Sequence, residues 1–515
     1  MKKSAAILAS LILVTSVFTA CNGDKAPDTT SDFTIGDFDI DQEINKVLSS
    51  DGPSFTAMPI DFAAKDRGRI IPSISEFKED AMEKEKNSAL YGFMTIDGDL
   101  ICNSYFDYVS YNEDTESYLV RRTAEGESKY GIISSDGSKF TGLIFDGAAT
   151  AQGANKGSAV YYGTTYENGN LWVTGVDKEL NLLDSMKITI DESELGLDAK
   201  TSQLTILYTN DVSSVIINKS EFYYKTMLVD NNSGKLLYTY NKIGSTCKIF
   251  GNVIVEQDLT GKGISVYDMH GENIINDKNA FSGMVSNDRY MVASGGKINL
   301  YDADWNAAKS MDIPKATDVM TSFGRIAVVD DEKTYVYDKD FNLINTLDYV
   351  VGGGTYLRDW YSFGEGDMYY DSISGTKEII NLNTGAKLAK EDGFYYSFKY
   401  SYIVADNVSN GNDPIKKWYV YDYEFDLIAS GEGTADIIRD EDNGDNYLVV
   451  NKDDVMTVYS LPSNMKMFAV KFNCSNLTAV NGRFFGWNKE HFLLCSSTGE
   501  ALSAYNIDYS VANGI

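Results

Sequence analysis

Histidine is almost missing from this chain: 2 residues in 515, alongside 5 cysteines and 7 prolines. So few histidines exclude a His-rich metal centre, and five scattered cysteines exclude a disulfide-dense fold. Positive charge is also short, with 45 Lys and Arg against 75 Asp and Glu and a net charge of −30. A chain this acidic is repelled by nucleic acid, which drops out as a partner. It is also repelled by anionic lipid or polyanions unless a local patch or cation intervenes. No G-x-S-x-G elbow, H-E-x-x-H helix, C-x-x-C pair or phosphate loop is present. After the first twenty residues no run is long and apolar enough to span a membrane.

What is present points to strands and turns: 43 Gly, 35 Tyr and 24 Phe, with an ordinary globular balance of 43% apolar and 23% charged residues. Lys2 and Lys3 precede an uncharged stretch from Ala5 to Ala20, mostly apolar over Ile7–Phe18. That run reads as a secretory signal (residues 1–20), being too short for a spanning helix. It ends in Phe18-Thr19-Ala20-Cys21. This resembles the lipobox of bacterial lipoproteins, with Phe18 where Leu, Val or Ile is usual. The resemblance implies cleavage before Cys21, a thioether-linked diacylglycerol on its sulfur and palmitate among the acyl chains. Two or more chains give stable anchoring, at about 0.8 kcal/mol per buried CH₂. Residues 21–50 then read as a flexible acidic tether carrying Asp24, Asp28, Asp32, Asp37, Asp39 and Asp41, with a reach of roughly 30 Å.

Beyond the tether a strand–turn–strand pattern recurs. The turns are Asp97-Gly98, Asp136-Gly137, Asp177–Asn181, Asp230–Gly234, Asp268–Gly271, Asp302–Asn306, Asp338–Asn342, Asn381–Gly385, Asp422–Asp426, Ser460–Asn464 and Ser496–Gly499. The mean period is about 40 residues, room for four short strands and the size of a propeller blade. Asp, Asn or Ser opens each turn to bond backbone N–H groups ahead of it. The closing Gly or Asn is expected in a left-handed conformation. The expected fold class is therefore all-β, about eleven propeller-type units arranged as two propellers or one large array. The division drawn here is 51–240 for the first and 241–515, about seven blades, for the second. The register puts Ala81–Glu85 on a strand although its composition suits a helix.

Two early units, Tyr91-Gly92-Phe93-Met94-Thr95-Ile96-Asp97-Gly98 and Lys129-Tyr130-Gly131-Ile132-Ile133-Ser134-Ser135-Asp136-Gly137, resemble the WG repeat of bacterial envelope proteins, with Tyr91 and Tyr130 where Trp is commoner. Phe106-Asp107-Tyr108 and Phe145-Asp146 fall where that repeat carries its "yD" strand start. The resemblance covers roughly residues 70–150 and implies a shape, not an activity.

Candidate chemistry is sparse. Asp302-Ala303-Asp304-Trp305-Asn306 and Asp338-Lys339-Asp340-Phe341-Asn342 both read D-x-D-x-N, which would suit calcium. They lack the glycine at the sixth position of an EF-type loop, and their recurrence marks them as repeat turns. The denser loop Asp440-Glu441-Asp442-Asn443-Gly444-Asp445 supplies the calcium candidates Asp440, Asp442 and Asp445; no other cofactor is expected. Cys474 and Cys495 are candidates for a disulfide. Tyr161-Tyr162, Tyr369-Tyr370 and the run Tyr395-Tyr396, Phe398, Tyr400, Tyr402 are expected mainly in the core, and suit protein or sugar surfaces where exposed. The sialidase box S-x-D-x-G-x-T-W is missing, as is the adjacent Cys pair of many quinoprotein propellers.

The functional expectation is a lipid-anchored, exported module on the extracytoplasmic face of a bacterial membrane. It binds an envelope protein or a glycan without catalysis, and Asp191–Ser214 and Asn407–Pro414 are its candidate surfaces. The alternative is a carbohydrate-active enzyme with acids in the propeller channel.

Overall fold

The computed structural model describes residues 68–510 except 80–86, 125–126, 152–158, 168–169, 189–202, 210–212, 221–222, 231–232, 234, 241–244, 259–261, 323, 352–358, 362–368, 372–377, 408–414, 473, 475 and 489–490. The signal segment, Cys21, the tether and residues 81–85 lie outside the described residues, as do 191–202 and 408–414.

The protein is all-β, with no helix among the described residues. The described strands form ten small sheets, nearly all antiparallel. In chain order they span 70–106, 108–134, 147–188, 203–240, 245–312, 318–347, 359–389, 395–432, 434–470 and 478–506. Most are four-stranded meanders. The fifth has seven strands because the long strand Asn273–Ser286 ends one four-stranded unit and begins the next. The second has three strands, extended by the bridges Ile133↔Phe140 and Tyr130↔Phe145. The first is completed from the far end of the chain: Asp508–Ser510 pairs in parallel with Glu76, Phe77 and Lys78 of strand Ile70–Glu79.

The eleven repeat turns all fall at one place, between the third and fourth strands of a four-stranded unit. Second strands read as short continuous apolar runs, such as Arg325–Val329 and Tyr402–Asp406, and are buried almost throughout. Both of their faces are covered by neighbouring sheets. Third strands alternate, as in Thr334–Asp338, and fourth strands such as Ala307–Asp312 lie open to solvent.

Apolar clusters join successive sheets. They continue across the boundary expected near 240, where Val215 and Leu228 pack with Ile254 and Met269. The first and last sheets are joined in the same way, by Ile71, Ile74 and Met94 against Val480, Phe485, Phe492 and Leu494.

A second contact recurs. The third–fourth turn of one sheet rests on the fourth strand of the sheet before it. The Gly271 turn lies on Leu237, the Gly385 turn on Leu347 and the Gly499 turn on Phe468. Lys309 Nζ bonds Asp340 Oδ1 at 2.9 Å in the same arrangement. The Gly98 turn of the first sheet lies likewise on Leu502 of the last, so close that a Cβ on Gly98 would sit 3.0 Å from the Leu502 carbonyl oxygen.

The turns correct one expectation. In the D-x-D-x-N turns and their variants the left-handed residue is not the closing Asn or Asp but the bulky residue before it: Leu180, Trp305, Phe341 and Phe425 have φ of 60°, 60°, 63° and 73°. Each is a three-residue loop with a bulge at the left-handed position. Burial offsets the strain: Trp305 is buried, stacked on Tyr301 at 4.6 Å and edge-on to Phe250 at 6.2 Å.

Candidate functional site

Antiparallel alternation places the first–second and third–fourth turns of a sheet at one end, and all other connections at the opposite end. Arg69 lies at the turn end, because Ile70 pairs with Thr95 and the Arg69 carbonyl accepts the Ile96 N–H at 3.2 Å. The connections from 188 to 203 and from 407 to 415, where the candidate surfaces were expected, join strands at the other end.

A charged cluster at the turn end is centred on Arg69, whose side chain is only 8% exposed, against 30% for Glu441 and 29% for Asp442. Its Nη2 bonds Glu441 Oε2 at 3.0 Å and its Nη1 lies 3.7 Å from Asp442 Oδ1. Its guanidinium stacks 3.8 Å from the Tyr111 ring centroid, with Tyr118 at 5.5 Å. Tyr118 in turn donates to the Ile70 carbonyl at 2.7 Å. Four sheets therefore meet here. The first gives Arg69, and the second gives Tyr111, Tyr118 and the turn acids Glu113 and Glu116. The eighth gives the exposed Tyr400, and the ninth gives Arg439 to Asp442.

Acids outnumber cations in this hub, and the titrations reflect it. Burial pushes the Glu441 carboxyl up to about 7; Arg69 pulls it down, but Asp442 and Glu113 add to the rise. Asp442 is raised by the same burial, against Arg69 and with Asp440 and Glu116. Burial also raises Tyr111 and Tyr118; the exposed Tyr400 is raised by partial desolvation and by the Asp436, Glu441 and Glu113 charges.

The calcium candidates are not gathered. Asp440 is fully buried and already satisfied: its Oδ1 accepts the N–H of Asp442 at 3.0 Å, Asn443 at 3.3 Å and Asn481 at 2.9 Å, and its Oδ2 accepts Gly482 N–H at 2.7 Å. It is a staple between the ninth and tenth sheets. Asp442 faces Arg69, and Asp445 is exposed. The D-x-D-x-N turns use their aspartates likewise: Asp338 Oδ1 accepts the N–H of Asp340 and Asn342, each at 2.8 Å, and Asn342 Nδ2 closes on Oδ2. Among the described residues no group of three or more His, Cys, Asp or Glu is placed to hold a metal ion.

Cys474 and Cys495, the candidates for a disulfide, are free thiols buried in one apolar cluster, and burial pushes both up to about 12. His270 lies in an exposed turn and His491 on a strand of another sheet. Tyr161, Tyr162 and Tyr402 are core, whereas Tyr395 and Tyr400 are exposed, against expectation for that run. The side chains of Tyr369 and Tyr370 lie outside what is described.

The repeat-motif acids have structural work. Asp107 takes Arg121 Nε at 2.7 Å on one oxygen and Thr123 N–H at 2.6 Å on the other. Asp146 takes Lys129 Nζ at 2.5 Å and Tyr166 N–H at 2.7 Å in the same way. Phe106 and Phe145 beside them are buried.

No protein-family model matches the chain, and no curated protein sequence matches it. Solved structures give distant likenesses. A crystal structure of the eukaryotic initiation factor has 11% identity over 67% of this chain and 95% of its own, with a TM-score of 0.36. The dihydro-heme d1 dehydrogenase NirN in complex with DHE has 13% identity over 58% and 73%, with a TM-score of 0.26. Kluyveromyces lactis Hsv2 has 12% identity over 48% and 87%, with a TM-score of 0.22. Scores this low carry no argument about fold or function.

Proposed function

We propose that the chain is a lipid-anchored, extracytoplasmic β-propeller protein that binds a protein or glycan at the bacterial cell envelope. The observation that carries the propeller reading is the repeated seating of a turn on the preceding sheet's outer strand, with the first sheet seated on the last by Gly98 and Leu502. The same seating continued through all eleven units would make one continuous ring. The contacts across residue 240, an apolar cluster and the Gly271 turn on Leu237, favour a single ring over two. The anchor rests on the sequence: Lys2, Lys3, the apolar run and Phe18-Thr19-Ala20-Cys21. The binding role rests on the end opposite Arg69, towards which the strands flanking the connections 188–203 and 407–415 run.

The test uses the soluble chain from Asn22 onward as crosslinking bait in host envelope extract, with and without calcium. A single enriched protein or glycan supports the binding reading. Deletion of both 191–200 and 408–413 is expected to abolish capture, and intact capture would displace the surface. A Cys21→Ala variant of the full chain is expected to leave the membrane fraction.

The second reading, a carbohydrate-active enzyme, is favoured by one feature: the Glu441 carboxyl, raised by burial to about 7, lies within electrostatic reach of Glu113 and the exposed Tyr400. Release of sugar from a glycan panel, lost in Glu441→Gln, would support it.

A further inference from the structure

We propose that the Arg69–Glu441 hub is a proton-operated latch that fixes the start of the strand array to the second and ninth sheets. It goes beyond the binding reading and depends on neither an anchor nor a partner.

The geometry supplies the parts. Arg69 is the residue before strand Ile70–Glu79, and that strand is paired with Asn87–Thr95 on one side and Asp508–Ser510 on the other. Its cation bridges to a turn 372 positions away at 3.0 Å while stacked on Tyr111. Glu441 itself is tied to the tenth sheet, its N–H donating to the Ala479 carbonyl at 3.0 Å. Whatever changes the charge on Glu441 therefore acts on the place where the first sheet meets the last two.

The charged groups around Glu441 come from every packed element. Arg69 opposes from the first sheet, Glu113 adds from the second, Tyr400 lies on the eighth, and Asp442 adds from the ninth, where Asp436, Asp440 and Arg439 also belong to the hub. One buried guanidinium faces two carboxyls and a turn acid, so negative charge is in surplus. A proton taken from solvent onto the Glu441 carboxylate reduces that surplus and leaves Arg69 paired with Asp442.

The sign follows from the raised titration. The Glu441 carboxyl rises from 4.5 to about 7 in the folded protein, so its stabilising contribution is complete below 4.5 and is lost as pH rises through 7. The latch is tight in acid and loosened above neutrality.

Hydrogen exchange of the peptide covering Ile70–Ile74 tests this in the full soluble chain, corrected for intrinsic rates. In the wild type the opening constant is expected to be about thirtyfold smaller at about pH 5.5 than at about pH 8. Glu441→Gln is expected to remove the dependence and keep the protected, acid-like value throughout. A wild type without pH dependence, or a Glu441→Gln variant that keeps the dependence or opens more at both pH values, would overturn the latch. Should Glu441→Gln fail to fold, Glu113→Gln, on an exposed turn, is expected to move the midpoint down; an unmoved midpoint would overturn it equally.

Discussion

Two aspartate-rich turns, Asp338–Asn342 and Asp440–Asp445, look alike in sequence and behave differently in the structure. In the first, the Asp338 carboxylate closes its own turn, and the turn reaches outward through Asp340 to Lys309. The second is wired across three sheets, through Asp440 to Asn481 and Gly482 and through Glu441 to Arg69. The same residue types act as a local hairpin closure in one place and as an inter-sheet staple in the other. What differs is burial, and burial multiplies the value of each hydrogen bond and the cost of each unmatched charge.

That contrast is broken most severely at Asp440. Asp440→Ala strands the four N–H donors that its carboxylate accepts and is expected to cost about 3 kcal/mol in denaturant unfolding. Asp440→Asn, which keeps an acceptor at Oδ1, is expected to cost less. A loss no larger than that of Asp338→Ala would erase the distinction between the turns.

Trp305→Gly sharpens the account of the left-handed position. Loss of a buried indole costs about 3 kcal/mol, relief of the left-handed backbone returns about 1, and a net loss of about 2 kcal/mol is expected in the same assay. A neutral or stabilising result would mean that the strain, not the packing, dominates.

Asp338→Ala is expected to cost about 1 kcal/mol, the value of an ordinary exposed capping bond. Its pH behaviour should oppose that of Glu441. Burial works against the Asp338 charge, but Asn342 and the turn N–H groups outweigh it and hold the carboxyl below 3.8. Its contribution is therefore present above 3.8 and lost as pH falls through the depressed value. Melting curves of Asp338→Asn against wild type should converge only in strong acid, whereas Glu441→Gln and wild type should converge below 4.5 and part as pH rises towards 7.

The smallest effect is expected at Cys474 and Cys495. Buried thiols held up at about 12 should resist maleimide in the native protein and react fully only on unfolding.

The sheets were legible in the sequence because their punctuation is local. The aspartate that opens a turn bonds the N–H groups of that same turn, so Asp268, Asp302, Asp338 and Asp422 announce hairpins without knowledge of the rest of the fold. The left-handed residues were misplaced because propensity favours Gly and Asn there, while Trp305 and Leu180 are held by packing that only the assembled sheets supply. The loop 440–445 was conspicuous by composition, yet its partner Arg69 lies 372 positions away and no spacing rule connects them. Tyr395 and Tyr400 read as core from the alternation of aromatics along a strand, but they lie on and just after a partly exposed first strand and are themselves exposed.

The proposed single ring requires the array to close on itself. Spin labels at Asp97→Cys and Glu500→Cys, on the turns of the first and last sheets, measure this by pulsed electron resonance. The background is the soluble chain with Cys247→Ser, in which Cys102, Cys474 and Cys495 are buried. Closure requires one short, narrow distance, matched by a control pair at Lys235→Cys and His270→Cys across the boundary near 240. A long or broad distance for the first pair beside a short control would contradict it, leaving an open array whose ends do not meet.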